Sequence, residues 1–187
     1  MSDSAAPVFS EYARYYDLFY RDKDYAGEAD YVDHLIRRFK PDARAILELG
    51  SGTGKHAMLL AKRGYRVHGI ERSEQMLASA HNLLTQEKAR RDDCLLPLFT
   101  QGDIRSVRLA ETFDVAAALF HVISYQTTNE DLLAAFRTAR AHLETGGLFF
   151  FDVWPAPREL CLLARISTNM VFICRQGLLL IKRTLKM

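Results

Sequence analysis

Between Ala45 and Glu71 the chain reads AILELGSGTGKHAMLLAKRGYRVHGIE, a stretch that few folds accept. Ala45 to Leu49 is a short apolar run that stops at Gly50, which predicts a buried parallel strand rather than a helix segment. The turn Gly50-Ser51-Gly52-Thr53-Gly54 can adopt positive φ angles and has no Cβ at its glycines, so a ligand can lie directly on its backbone. From Lys55 the residues Ala57, Leu59, Leu60 and Ala61 form a helical stripe, and Gly64 stands where a C-terminal cap would end it. Tyr65 to Ile70 then reads as a second strand. It leaves Glu71 at its carboxyl end, where open α/β sheets bind ligands. A dinucleotide fingerprint would place its third glycine three residues after the second, a position held here by Lys55. The spacing is instead E-x-G-x-G-x-G from Glu48 to Gly54. Nor does Lys55 sit in a phosphate-loop pattern.

The remaining strands follow the same rhythm. Tyr25 to Phe39 predicts an amphipathic helix stopped by Pro41, preceded by a short aromatic helix over EYARYYDLFY. Ser73 is an N-cap for a helix running to about Arg91, with Met76, Leu77, Ala80 and Leu84 on its apolar face. Pro97 to Thr100 reads as a third strand, with Asp103 just past its end. Phe113 to Phe120 is a nearly unbroken apolar run, as in a central strand covered on both faces. His121 and Ser124-Tyr125-Gln126 follow it. A helix is expected over Asn129 to Leu143, with Gly146 past its end, and a fifth strand over Leu148 to Trp154, carrying Asp152. After Pro157 the residues suggest a short helix from Arg158 to Arg165 and a hairpin from Thr168 to Leu185 around Arg175-Gln176-Gly177, or equally a divergent, incompletely folded tail.

Strands alternating with helices predict an α/β, Rossmann-like doubly wound, mostly parallel sheet with helices on both faces and an N-terminal helical cap. Right-handed crossovers bring Gly50, Glu71, Asp103, His121 and Asp152 to one carboxyl edge. The 187 residues are read as one domain: a cap over 1–41, a cofactor-binding core over 42–157 and a tail over 158–187. A net charge of +2 offers nucleic acid no basic surface, and the six basic residues after Pro157 read as a solvated tail. Cys94, Cys161 and Cys174 make no C-x-x-C pair, so no zinc site or disulfide framework is expected, and a reducing cytoplasm fits. No apolar run approaches the roughly 20 residues of a membrane span.

The glycine spacing and the acid at the next strand end resemble the class I S-adenosylmethionine-dependent methyltransferases. Gly102-Asp103-Ile104, FDVAAALFHVISY and LETGGLFFFDV resemble that family's later motifs, so the likeness covers Ala45 to about Trp154. YDLFY followed by KDYAGEADY is similar to bacterial small-molecule methyltransferases that include the nucleotide-sugar N-methyltransferases. This resemblance implies S-adenosyl-L-methionine as cofactor. It implies Glu71 on the ribose hydroxyls, Asp103 and the Ile104 amide on adenine, and Glu48, Gly50, Ser51, Gly52 and Gly54 around the amino-acid part. Tyr16, Arg72, Met76 and Phe120 complete the implied binding set, with no metal.

His121 reads as a base or proton partner for the acceptor, or else as a packing histidine, with Asp152 a weaker base. Glu48 reads as a ligand contact or as a structural acid. The expected reaction is methyl transfer to an amine or hydroxyl of a small molecule, amino sugars and nucleotide sugars among the expected acceptors, by a monomer or homodimer. Two alternatives stand beside it: an inactive cofactor-binding protein working through a partner, motivated by the short tail, and a NAD-dependent oxidoreductase.

Overall fold

The computed structural model describes residue 20, residues 22–90 and 95–153, and two strands at 170–175 and 178–183. The elements run α1 (Tyr25–Phe39), β1 (Ala45–Leu49), α2 (Lys55–Lys62), β2 (Arg66–Glu71), α3 (Glu74–Arg90) and β3 (Leu98–Gln101). They continue with β4 (Phe113–Ala118), a 3-10 turn (Val122–Tyr125), α4 (Asn129–His142), β5 (Leu143–Asp152), β6 (Met170–Arg175) and β7 (Leu178–Arg183). Among the described residues seven strands form one sheet in the order β3-β2-β1-β4-β5-β7-β6. The first five of these are parallel, while β7 lies antiparallel to both β5 and β6.

Alternation along the central strands builds two cores. Ile46, Val67, Val115, Ala117, Leu148 and Phe150 point to one face and pack beneath Ala29, Val32 and Ile36 of α1, Ala57, Leu60 and Ala61 of α2 and Ala80 of α3. Leu47, Leu49, Ala116, Ala118, Phe149 and Phe151 point to the other and meet Ala135, Phe136 and Ala139 of α4. Both faces being covered, β1 and β4 carry apolar residues almost without interruption.

Strand order reverses at β1, since β2 lies on one side of it and β4 on the other. The carboxyl ends of these two central strands therefore flank the crevice that doubly wound sheets use for ligands. Asp114, at the opposite end of β4, accepts hydrogen bonds from the amides of Arg44 (2.8 Å) and Ala45 (2.9 Å), fixing the start of β1 against β4.

Several boundaries differ from the expectation. Leu119 and Phe120 leave β4 and enter a turn, because Phe120 has φ 64° and cannot continue a strand. The helix before β5 ends at His142 without a glycine cap. β5 begins directly at Leu143 and is irregular over 144–147, where the pairing on β4 jumps from Phe113↔Leu143 to Val115↔Leu148. Gly146 (φ 81°) serves that irregularity and not a helix end. The hairpin expected after Pro157 is present as β6 and β7. The aromatic helix over 11–20 falls almost wholly outside the described residues, and the helix over 158–165 does so entirely, as does Tyr16.

Candidate functional site

The glycine turn forms the floor of the crevice. The amides of Gly50 and Ser51 both donate to the Ile70 carbonyl, at 2.8 and 2.9 Å, which pins the turn to the end of β2. Gly52 is left-handed (φ 55°), and a Cβ built there meets nothing within 4 Å, so its backbone faces open space. At Gly54 (φ 79°), which opens α2, a Cβ would come within 2.6 Å of the Phe99 ring. One glycine is thus required by the backbone and by packing, the other by the backbone alone, with its outer side clear for a ligand.

Glu71 stands beside this turn. Its Oε2 accepts from the Gly52 amide at 2.9 Å and its Oε1 from the Ser73 amide at 2.8 Å. An ionised carboxylate has about four acceptor positions, so two remain for hydroxyl donors while the amides hold the group in place. Ser73 in turn caps α3 through Oγ toward the Met76 amide (3.4 Å), and Met76 is buried.

Glu48 lies below, 1% exposed, with its carboxyl receiving the Ala57 amide of the first turn of α2. Its Nδ1 neighbour on His56 is 3.9 Å away, and Oε2 has no hydrogen-bond partner. Burial and the nearby Glu71 carboxylate push its pKa up to about 8 despite the Ala57 amide. The buried Ser51 hydroxyl likewise lacks a partner. Glu48 thus ties the end of β1 to the first turn of α2.

Past β3, Asp103 is tied to a side chain that the motif reading passed over. Arg105 reaches it through the backbone amide (2.9 Å) and through Nε and Nη2, and its Nη1 continues to Asp131 at 2.9 Å. The Arg105 hydrogen bonds hold the Asp103 carboxyl below its usual range, against partial burial. An adenine amino group would have to share Asp103 with this guanidinium. Arg72 is exposed, its Nη1 3.9 Å from Asp103, and Ile104 is buried in the core face carried by α4.

The turn after β4 is strained. Phe120 and His121 are consecutive non-glycine residues in the left-handed region (φ 64° and 61°), a conformation that costs of order 1–3 kcal/mol per residue and persists only where surroundings impose it. Asp152 imposes it from the end of β5: its Oδ1 accepts the His121 amide at 2.9 Å, and its Oδ2 lies 3.0 Å from His121 Nδ1. Opposite stands a group from the start of the described chain. Tyr20 meets the Phe120 ring edge-on (4.8 Å), and Glu28 of α1 hydrogen-bonds His56 Nε2 at 2.7 Å. Tyr25 and Glu28 meet His56 across 31 and 28 residues of sequence, a separation at which local spacing carries no signal.

The structure thus brings Gly50, Ser51, Gly52, Gly54, Glu71 and Ser73 into one hydrogen-bonded turn, with Glu48 bonded to Ala57 of α2 and Asp103 and His121 on adjoining strand ends. Among the described residues no cluster of metal-ligating side chains occurs. None of their helices is long and apolar enough to cross a membrane.

Residues 46–147 match the family described as methyltransferase domain. The chain is 36% identical over 149 residues to the dTDP-3-amino-3,4,6-trideoxy-alpha-D-glucopyranose N,N-dimethyltransferase of Streptomyces venezuelae, covering 79% of this chain and 59% of that one. Among solved structures it is similar to the sugar N-methyltransferase KedS8 from a Streptoalloteichus species, with a TM-score of 0.67, 28% identity, and 95% of this chain and 64% of that chain covered. It is also similar to S-adenosylmethionine-bound CalS10, an amino pentose methyltransferase from Micromonospora echinaspora, with a TM-score of 0.63, 26% identity, and 100% and 72% covered. The chain spans about three fifths of the length of the curated relatives it matches.

Proposed function

We propose a function from one premise: the chain belongs to the methyltransferase-domain family. It transfers a methyl group from S-adenosyl-L-methionine to the amine of a small molecule, with an amino sugar, free or nucleotide-linked, as the acceptor class. The observation that carries this reading is Glu71, clamped by the Gly52 and Ser73 amides beside a glycine backbone that faces open space. The names of the relatives, which act on amino sugars, support the acceptor class. Membership in this family sets the NAD-dependent alternative aside. A cytoplasmic location belongs to the same proposal.

The residues present fit the cofactor. The clear side of Gly52 admits a ligand against the backbone, the two spare acceptor positions of Glu71 suit a ribose diol, and the unpartnered Ser51 hydroxyl adds a polar group at the turn. The cofactor brings an activated methyl group on sulfur, so the protein's task is alignment and exclusion of water. Asp152 holds the His121 backbone and faces its Nδ1, and in this reading the imidazole takes a proton from the acceptor.

Isothermal titration with S-adenosylhomocysteine tests the binding site. Glu71→Ala is expected to weaken binding by about 1–3 kcal/mol, and Glu71→Gln by less, because its amide oxygen keeps an acceptor. Unchanged affinity in both variants would remove Glu71 from the site. Transfer of labelled methyl to a panel of amino sugars tests the reaction, and tight cofactor binding without product on any amine would favour the non-catalytic alternative.

A further inference from the structure

Lys23 has an environment that an ordinary surface lysine lacks. Its ammonium lies 4.4 Å from the ring centroid of Tyr25 and 4.1 Å from that of Phe120, and it pairs with the Glu28 carboxylate. The side chain is only 11% exposed. Covering an ammonium removes hydration that must be replaced, and here two π faces and a carboxylate replace it. That combination is the chemistry that recognises organic cations, quaternary ammonium and sulfonium groups included.

The cage is built from two separate stretches: Tyr25 and Glu28 at the start of α1, and Phe120 in the strained turn after β4. It borders the glycine turn. His56, two residues after Gly54, bonds Glu28 and stands 5.0 Å from the Tyr25 ring, while a Cβ at Gly50 would strike Val122, two residues after Phe120. Hydrogen bonds from His56 and Lys23, outweighing burial, hold the Glu28 pKa at about 2, so the cage keeps its negative charge. His56 continues to supply one of those bonds if Lys23 departs.

The geometry points to the Tyr25–Phe120–Glu28 cage as an onium subsite of the cofactor site, which the chain fills with its own Lys23 until the cationic end of the cofactor displaces it. This inference rests on the proposed S-adenosylmethionine site. Lys55 Nζ also stands 4.9 Å from the Tyr25 ring, but Lys23, on a flexible stem in the segment before α1, is the cation that lies against both rings and the one the cofactor displaces. Lys23 is then a competitor for the site it helps to close, and its removal strengthens binding of a cationic ligand.

Titration of the full chain with three probes distinguishes the cationic groups. S-adenosylmethionine carries a sulfonium and an ammonium, S-adenosylhomocysteine the ammonium alone, and 5′-methylthioadenosine neither. Lys23→Ala is expected to tighten S-adenosylmethionine binding roughly three- to tenfold, as expected when a competing occupant is removed, with no change for 5′-methylthioadenosine. A gain confined to S-adenosylmethionine places the sulfonium in the cage, and an equal gain for S-adenosylhomocysteine places the ammonium there. Phe120→Leu in the Lys23→Ala background should abolish the gain. An equal change for all three probes, no change, or weaker S-adenosylmethionine binding in a Lys23→Ala protein of unaltered circular dichroism would overturn the inference and make Lys23 a structural pin. Wild-type protein that binds none of the three would instead remove the cofactor reading, and the subsite with it.

Discussion

Glu48 and Glu71 show how two carboxyls in neighbouring strands acquire different tasks. Glu71 is partly exposed and meets two amides, whereas Glu48 is fully buried and meets one. Glu48 stays protonated in the fold up to about pH 8, while the unfolded chain releases that proton near 4.5. Because the folded pKa is the higher one, its contribution to stability is full below about pH 4.5 and is lost as pH rises through about 8. Glu48→Gln keeps an acceptor for the Ala57 amide and cannot ionise. Its melting temperature should match wild type near pH 4.5 and exceed it increasingly up to pH 8–9; parallel curves across that range would show that Glu48 does not titrate in this way. Glu71 could be read from the sequence because strand ends mark a rim. The state of Glu48 could not, since it depends on what a helix places above it. Asp103 lies between these cases: Gly102-Asp103 marks the strand end, but its commitment to Arg105 follows from a local turn in which the arginine folds back.

Among the elements, α1 matched its expected bounds because its signals are local: Asp24 before the first turn, apolar residues at helical spacing, and Pro41 beyond the end. Asp24 accepts the Gly27 amide at 2.8 Å. Asp24→Ala should therefore cost about 1 kcal/mol of global stability, read from urea unfolding. Because α1 carries Glu28, and Tyr25 opens it, fraying of that end should also weaken S-adenosylmethionine binding more than 5′-methylthioadenosine binding. Equal losses for the two probes would separate the cap from the cage. The end of β4 and the start of β5 were harder to read for the opposite reason. Leu119-Phe120 is apolar enough to prolong a strand, but Asp152, 31 residues from His121, bends the chain by taking its amide. Likewise Leu143 looks like the last helical residue until its pairing with Phe113 draws it into the sheet. Both boundaries are set by tertiary contacts that override propensity.

At the scale of the molecule, four acids link distant elements and oppose the effect of Glu48. Glu28 joins α1 to α2 through His56, and Asp33 joins α1 to the start of β2, accepting from the Tyr65 hydroxyl at 2.7 Å. Glu111 meets the buried His68 of β2 at 2.7 Å, and Asp103 is linked through Arg105 to Asp131 of α4. For Glu28, Asp33 and Glu111 burial raises the pKa, but hydrogen bonds to their partners outweigh it. For Asp103 the Arg105 hydrogen bonds dominate, so all four lie below their ordinary values. A depressed acid contributes stability that is present above its unfolded pKa and lost as pH falls through the folded one. These four therefore erode the fold below about pH 4.5, whereas Glu48 erodes it above. Across these five groups the contribution to stability rises with pH toward about 4.5 and declines above it as pH approaches 8. Thermal scans from pH 2 to 9 should show a melting temperature that falls on both sides of that point. Glu48→Gln should flatten only the alkaline side. Arg105→Met releases Asp103 from its partner, so it should lower stability at neutral pH and make the acid side shallower, leaving the alkaline slope unchanged. If Arg105→Met instead displaced the whole curve uniformly, the Asp103 pair would be contributing packing and not charge, and the acid limb would rest on the three links made by α1 and β2.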